Sequence, residues 1–162
     1  MSKLLRDARL GPKKEQVVEF TSSIEADQKL FENVVRINKA HVIVMAERRI
    51  LDQKKAATLL KALGEIDSSR DITGAGTEDA HMYVEESVLE AVGEEVGGDL
   101  HIGKSRNDQV STAIRMTLRE NLIQITSALT DVQEKLLATA EKHTETLIPG
   151  YTHTQPAQPI TF

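Results

Sequence analysis

Residues 118–136 read LRENLIQITSALTDVQEKL, and the spacing of the apolar residues in this stretch decides the fold. Steps of four and three residues alternate along the series Leu118, Leu122, Ile125, Leu129, Val132 and Leu136. That alternation is the heptad seam of a helix that packs against other helices. It predicts one helix over residues 108–147, which would be roughly 60 Å long. Because a helix of this length needs partners along its whole seam, the pattern predicts a bundle and oligomerisation.

Two shorter helices are predicted in the first third of the chain. Apolar residues recur every three or four positions over 24–51, and the hydroxyl residues at 21–23 could cap the start of that helix. Asp52 is typical of the N-cap of a second helix over 53–63, which Gly64 would end. Both segments have the composition of buried or half-buried helices.

A third helix is predicted over 78–96, ended by two glycines, with loops at 67–77 and 99–107 on either side. The fold prediction is therefore all-α. It has two parts, a small helical N-terminal domain over 1–107 and the beginning of a long-helix bundle domain over 108–162.

Composition excludes several classes of protein. The 162 residues carry a net charge of -5 and contain no cysteine, which speaks against a nucleic-acid binder, a disulfide framework and a thiolate nucleophile. No apolar stretch approaches the length of a membrane span, and no apolar core of a signal peptide is visible. A cytoplasmic protein is expected. Because Ile160 and Phe162 end the sequence without a polar tail, we expect the chain to be part of a larger protein.

The loop at 103–109, GKSRNDQ, concentrates hydrogen-bonding side chains ahead of the long helix. Arg106 offers a planar fork for a carboxylate, and the free N–H groups at the start of a helix favour an anion. The alternative is ordinary capping by Ser105, Asn107 or Asp108, with Arg106 in solvent. The residues alone leave both interpretations open.

Histidines mark two further candidate positions. His153 lies between Thr152 and Thr154, and its ordinary pKa near neutrality suits a general acid or base. Asp79 and His81 stand two residues apart at a predicted helix start. An ordinary loop, capping or core role is the alternative for each. No metal-ligand spacing and no glycine-rich phosphate loop occurs, so neither a metal nor a nucleotide cofactor is predicted.

Four blocks of sequence together resemble argininosuccinate lyase. They are EFTSSIEAD at 19–27, EDAHM at 78–82 with Glu85, SRNDQ at 105–109 and PGYTHTQPAQP at 149–159. The blocks come in the family's order and at about its spacings, and they cover essentially the whole chain. Arg106 and Tyr151 favour the argininosuccinate branch over the similar fumarases and aspartases.

The resemblance implies an all-helical fold in which a long-helix bundle forms the core of a homotetramer. It implies the reversible elimination of argininosuccinate to arginine and fumarate, as in arginine biosynthesis, with no cofactor and with no nucleic acid or membrane as partner. A non-catalytic helical scaffold and a sister fumarate-releasing lyase are the alternatives. Ligand binding would separate the first of these from an enzyme, and a substrate panel would separate the second.

The resemblance also implies roles for individual residues. It implies catalytic roles for His153, in proton transfer, and for Thr152. It implies substrate contacts for Ser23, Asp27, Asp79, His81, Arg106, Asn107 and Thr152. Asp27 would orient a donor or meet the positive arginine end of the substrate, while Asp79 and His81 would line or support the site.

Three departures from the family pattern bear on activity. The usual Gly-Gly-Arg is Asp7-Ala8-Arg9, and the usual His-Thr-Gly-Arg is His101-Ile102-Gly103-Lys104. The resemblance also implies a general base, a serine on a mobile loop, that lies C-terminal to Phe162. We therefore expect the 162-residue chain alone to show little or no activity.

Overall fold

Helices make up most of the computed structural model, which describes residues 15–161. The α-helices are α1 (Glu15–Thr21), α2 (Ile24–Asp27), α3 (Phe31–Glu47), α4 (Gln53–Glu65), α5 (Ala80–Val92), α6 (Glu94–Gly97) and α7 (Arg106–Lys142). Two strands follow, β1 (Leu147–Thr152) and β2 (Gln155–Thr161), and 3₁₀ turns lie at Gln28–Leu30 and Gly98–His101. The all-helical prediction is confirmed for the body of the fold. No helix in the described residues is both long and apolar enough to cross a membrane.

The hydrophobic core lies among α3, α4 and α5. Their inward positions follow the helical period, so side chains such as Val34, Leu59, Leu63 and Val84 are fully buried in one cluster. Phe31 meets the ring of Tyr83 edge to face, with the ring centroids 5.4 Å apart. Asp52 caps α4 as predicted, since its carboxylate accepts the backbone N–H groups of residues 54 and 55.

The single helix predicted over 24–51 was wrong, because the segment is divided. A 3₁₀ turn separates α2 from α3, and the Gln28 side chain at this turn bonds to the backbone of the loop between α4 and α5. Its amide donates to the Arg70 carbonyl at 3.1 Å and accepts from the Ile72 N–H at 2.9 Å. At the other end, Arg49 adopts φ 57, which ends α3 and turns Leu51 into the core. The hydroxyl that helps to cap α2 is that of Ser22, which accepts from the Ile24 N–H at 3.4 Å.

The helix predicted over 78–96 is also interrupted. Gly93 has φ 80, a conformation that ends α5 at Val92, and its N–H donates to the Leu89 carbonyl at 2.8 Å. The short α6 and a 3₁₀ turn follow where two glycines were expected to stop the helix. The loop predicted over 67–77 is confirmed.

The end of the chain forms a hairpin that the sequence did not predict. The long helix ends at Lys142 rather than at residue 147, and β1 pairs antiparallel with β2. Prolines occur in both strands, as a two-stranded ribbon with open edges permits. Gly150 is needed at an irregularity of the pairing, because a Cβ there would lie 2.6 Å from the Gln158 carbonyl oxygen.

Two compact units divide the chain between Leu118 and Arg119, inside α7. The predicted domain boundary at residue 107 stays a prediction. The apolar stripe of α7 comprises Leu118, Leu122, Ile125, Leu129, Val132 and Leu136. These side chains are 53–60% exposed in the single chain, so the stripe has no covering partner among the described residues.

Candidate active site

Asp79 and His81 lie at the start of α5. Asp79 is the N-cap, and its Oδ1 accepts the Met82 N–H at 2.6 Å. His81 is only 2% exposed, and its Nδ1 is buried without a hydrogen-bond partner in the described residues. The capping alternative for Asp79 is therefore confirmed, and its carboxylate also takes part in an ion pair with α7.

Arg106, the first residue of α7, lies between two carboxylates of α5. Its Nη1 is 3.4 Å from Asp79 Oδ1, and its Nη2 is 3.7 Å from Glu85 Oε2. Neither distance is that of a strong bidentate pair, and Nη1 has no hydrogen-bond partner in the described residues. The Arg106 side chain stays 34% exposed although Nη1 is buried, so a ligand would have to reach the fork from the side of Nη2.

Ser23 and Asp27 join this region from α2. The Ser23 hydroxyl donates to Asp27 Oδ2 at 3.0 Å, and the same oxygen accepts the Ala80 N–H at 3.3 Å. The Ser23 N–H donates to the carbonyl of Glu78 at 2.9 Å. These bonds hold the start of α2 against the start of α5.

An open groove of about 790 Å³ adjoins these residues. Ser23 and Thr77 line it together with the acidic side chains of Glu19 and Glu25. The Thr77 hydroxyl is buried and has no hydrogen-bond partner in the described part of the chain. Ser23 therefore lines a space large enough for a small molecule, although Asp79 and Arg106 are not among the described residues that line it.

The start of α7 has the reciprocal bonds of a capping box. The Asn107 N–H donates to the Ser105 hydroxyl at 3.3 Å, and the Ser105 N–H donates to Asp108 Oδ2 at 3.2 Å. The Asn107 side chain is exposed. Capping is thus confirmed for this loop, but Arg106 is paired with α5 rather than simply solvated.

A half-buried lysine anchors the same loop. Lys104 donates from Nζ to the side-chain oxygen of Asn38, and burial lowers the pKa of Lys104 to about 8. His41 contacts the Ile102 carbonyl through Nε2 at 2.9 Å, and burial lowers its pKa. The backbone therefore provides a hydrogen-bond partner for His41.

Thr152 and His153 belong to the second compact unit, which begins at Arg119. Thr152 pairs with Gln155, which leaves His153 and Thr154 as the two residues of the hairpin turn. Both have positive φ, 50 and 62, as a type I′ turn requires. Neither residue is glycine, so the exposed histidine is presented by a strained backbone.

Sequence reasoning missed the ion pairs of Glu85. Its Oε1 lies 3.0 Å from His101 Nδ1, while its Oε2 faces Arg106. These partners lie 16 and 21 positions along the chain, so no local spacing in the sequence indicated them. Arg9 lies outside the described residues. Within the described residues, no group of three His, Asp or Glu side chains could hold a metal ion.

Comparisons with known proteins show which family the chain resembles. A family described as lyase matches residues 9–162. The argininosuccinate lyase of Methanosarcina barkeri is 39% identical over 164 residues, which are 100% of this chain and 33% of that protein. The argininosuccinate lyase of Methanocaldococcus jannaschii is 39% identical over 170 residues, covering 98% and 34% of the two chains. The chain thus spans about a third of the length of the curated relatives it matches.

Solved structures show the same fold. A variant of EDDS lyase with bound fumarate aligns with a TM-score of 0.71 and 28% identity, over 97% of this chain and 33% of that one. EDDS lyase in complex with formate aligns with a TM-score of 0.69 and 29% identity, over 94% of this chain and 31% of that one. Since the family match extends over nearly the whole chain, the chain belongs to the lyase family.

Proposed function

We propose that this chain forms part of an argininosuccinate lyase, which reversibly eliminates arginine from argininosuccinate and leaves fumarate. The single observation that carries the proposal is Arg106, whose partly open guanidinium is held between Asp79 and Glu85 at the start of α7. Curated relatives that carry this name, at 36–39% identity, support it. The substrate's succinyl part has two carboxylates, and a planar fork at a helix start is suited to such a group.

The reaction needs three kinds of group. A base removes a proton next to a carboxylate, fixed donors stabilise the charge that spreads onto that carboxylate, and an acid protonates the departing guanidinium nitrogen. We assign donors to Arg106, Asn107 and Thr152, whose guanidinium, amide and hydroxyl groups can donate to carboxylate oxygens. We assign Ser23 a substrate contact through the lone pairs of its oxygen, because its proton is donated to Asp27.

The remaining proposed roles concern charge and proton transfer. His153 takes part in proton transfer, since an imidazole can hold or release a proton near neutral pH. Asp27 orients the Ser23 hydroxyl or meets the positive arginine end of the substrate. Asp79 and His81 support the site from the start of α5. The general base is proposed to lie outside these 162 residues.

We further propose that the whole protein is a cytoplasmic homotetramer that needs no cofactor. The exposed apolar stripe of α7 supports assembly, because a row of large apolar side chains left in water favours self-association. A sister fumarate-releasing lyase is the second candidate. The likeness to EDDS lyase favours it, since that structure holds fumarate on a similar fold.

Fumarate release from argininosuccinate, followed by ultraviolet absorbance, tests the proposal. The chain is assayed alone and mixed with a polypeptide that supplies the part of the Methanosarcina barkeri relative it does not cover. We expect activity only in the mixture, and a large loss for Arg106→Lys, which keeps the charge but not the fork. Arg115→Lys, on an exposed residue of α7, is the matched control.

Three outcomes would change this assignment. Activity of the chain alone would place the base among residues 1–162, with His153 tested first. Fumarate release only from another amino donor would favour the sister lyase. A folded mixture that is silent on every substrate would favour the scaffold.

A further inference from the structure

Glu85 is the acidic side chain of α5 that contacts two other charged or chargeable groups at once. Its two oxygens are used separately, with Oε1 at 3.0 Å from His101 Nδ1 and Oε2 at 3.7 Å from Arg106 Nη2. We infer that Glu85 is a positioning residue, which fixes the orientation of the Arg106 guanidinium toward a substrate carboxylate. The inference rests on the proposed function, because it takes the ligand of Arg106 to be a carboxylate.

His101 holds the Glu85 carboxylate in place. The Glu85 side chain is only 13% exposed, so few of its rotamers are free once it is packed in the fold. The contact with His101 occupies one oxygen, and the second oxygen of the packed side chain faces Arg106 in the absence of any ligand.

Two contacts are enough to orient a planar group. Asp79 is fixed by its bond to the Met82 N–H, and it lies opposite Nη1 of Arg106. Glu85 lies opposite Nη2, so the two terminal nitrogens face different carboxylates of the same helix. Without one of these carboxylates, the guanidinium would rotate more freely about the Nε–Cζ bond.

The long separation of this pair matters for binding. At 3.7 Å the Glu85 carboxylate attracts the guanidinium but does not form a good hydrogen bond with it. The N–H groups of Nη2 therefore remain available to a ligand oxygen. A shorter, bidentate pair would have used two N–H groups of Arg106 within the protein, and fewer would remain to bind the substrate.

The test compares Glu85→Gln with Glu90→Gln. Glutamine keeps the shape of Glu85 and removes its charge, while Glu90 is an exposed residue of the same helix. The first readout is the rate of rotation about the Arg106 Nε–Cζ bond, measured by ¹⁵N NMR on the 162-residue chain. We expect faster rotation in Glu85→Gln and no change in Glu90→Gln.

The second readout is steady-state kinetics of the mixture that contains the rest of the enzyme. We expect Glu85→Gln to lower kcat/KM by about tenfold to a hundredfold, with a raised KM. A purely structural loss would reduce the amount of folded enzyme and leave KM unchanged. Unchanged guanidinium rotation, or faster rotation with unchanged KM, overturns the inference.

The two proposals fail in different ways. If the wild-type mixture releases no fumarate, the proposed function fails, and the rotation rate still decides whether Glu85 orients Arg106. If the wild type is active and Glu85→Gln matches it in KM and rotation rate, the proposed function stands and the positioning role is wrong.

Discussion

Lys104 donates a hydrogen bond to the side-chain oxygen of Asn38, an amide that is buried on α3. The amine stands where the family pattern has arginine, and burial lowers its pKa from 10.5 to about 8. The negative charges of Glu85 and Asp108 act in the opposite direction but do not outweigh burial. The loop before Arg106 is thus anchored by an amine that loses its charge at mildly alkaline pH.

The stability of the chain should therefore depend on pH above neutrality. Between pH 8 and 10.5 the unfolded chain binds more protons at Lys104 than the folded chain does. The contribution of Lys104 to the free energy of unfolding then rises with pH in this window. Because the amine is partly screened by water, we expect a rise of about 1 kcal/mol.

Urea denaturation of the wild type and Lys104→Met at pH 7.5 and about pH 10 measures this contribution as the difference between the two proteins. Lys54→Met, on an exposed lysine, should follow the wild type. A wild type and Lys104→Met with the same pH dependence would contradict the prediction.

The N-cap of α4 should contribute measurably to the stability of the chain. The Asp52 carboxylate satisfies two N–H groups at 2.8 and 3.0 Å, so Asp52→Ala should lower the free energy of unfolding by about 1 kcal/mol. Thermal unfolding followed by circular dichroism measures the loss. Glu65→Ala, at the opposite end of α4, is the control, and an equal loss there would show that capping is not the cause.

The apolar stripe of α7 should drive self-association of the chain. Leu129 is 60% exposed near the middle of the stripe, and a charge at its position would have to be buried in any helix–helix contact. We expect Leu129→Glu to shift the sedimentation of the chain toward the monomer. Ser127→Glu places the same charge away from the stripe and should not. Association that survives Leu129→Glu would locate the contact elsewhere.

The hairpin should be sensitive to one methyl group. Gly150→Ala brings a Cβ to within 2.6 Å of the Gln158 carbonyl oxygen, and such crowding typically costs about 1–3 kcal/mol. We expect faster amide hydrogen exchange in both strands, and, with it, a less ordered turn at His153. Gly74→Ala meets nothing within 4 Å and is the control. Unchanged exchange in Gly150→Ala would show that the close approach relaxes without cost.

The sequence predicted those features whose cause is local. Asp52 caps α4 because an aspartate before an apolar helical pattern needs only its own neighbours. The division between α2 and α3 was not predictable in this way, since it accompanies bonds from Gln28 to residues 70 and 72. Similarly, the hairpin has no alternating apolar pattern, and its prolines favour a loop in the sequence.

In the candidate site, too, the sequence predicted what depends on local motifs and missed what depends on packing. Motifs located Arg106, Asp79 and His153, because those residue types stand in recognisable blocks. The contacts of Glu85 with His101 and Arg106 join residues up to 21 positions apart, so they depend on how α5 and α7 pack.

Two polar pairs connect α3 with the chain around the start of α7, and they fix how far one can slide along the other. Asn33 donates to the Thr117 hydroxyl at 2.9 Å, and Asn38 accepts from Lys104. Residue 33 pairs with residue 117, and residue 38 with residue 104, so the two segments are antiparallel. Sliding by one helical turn, about 5.4 Å, would break both pairs and remove a hydrogen bond from each of the two buried asparagines. An apolar interface alone would tolerate such a shift far better, so these two asparagines fix the register between α3 and the start of α7.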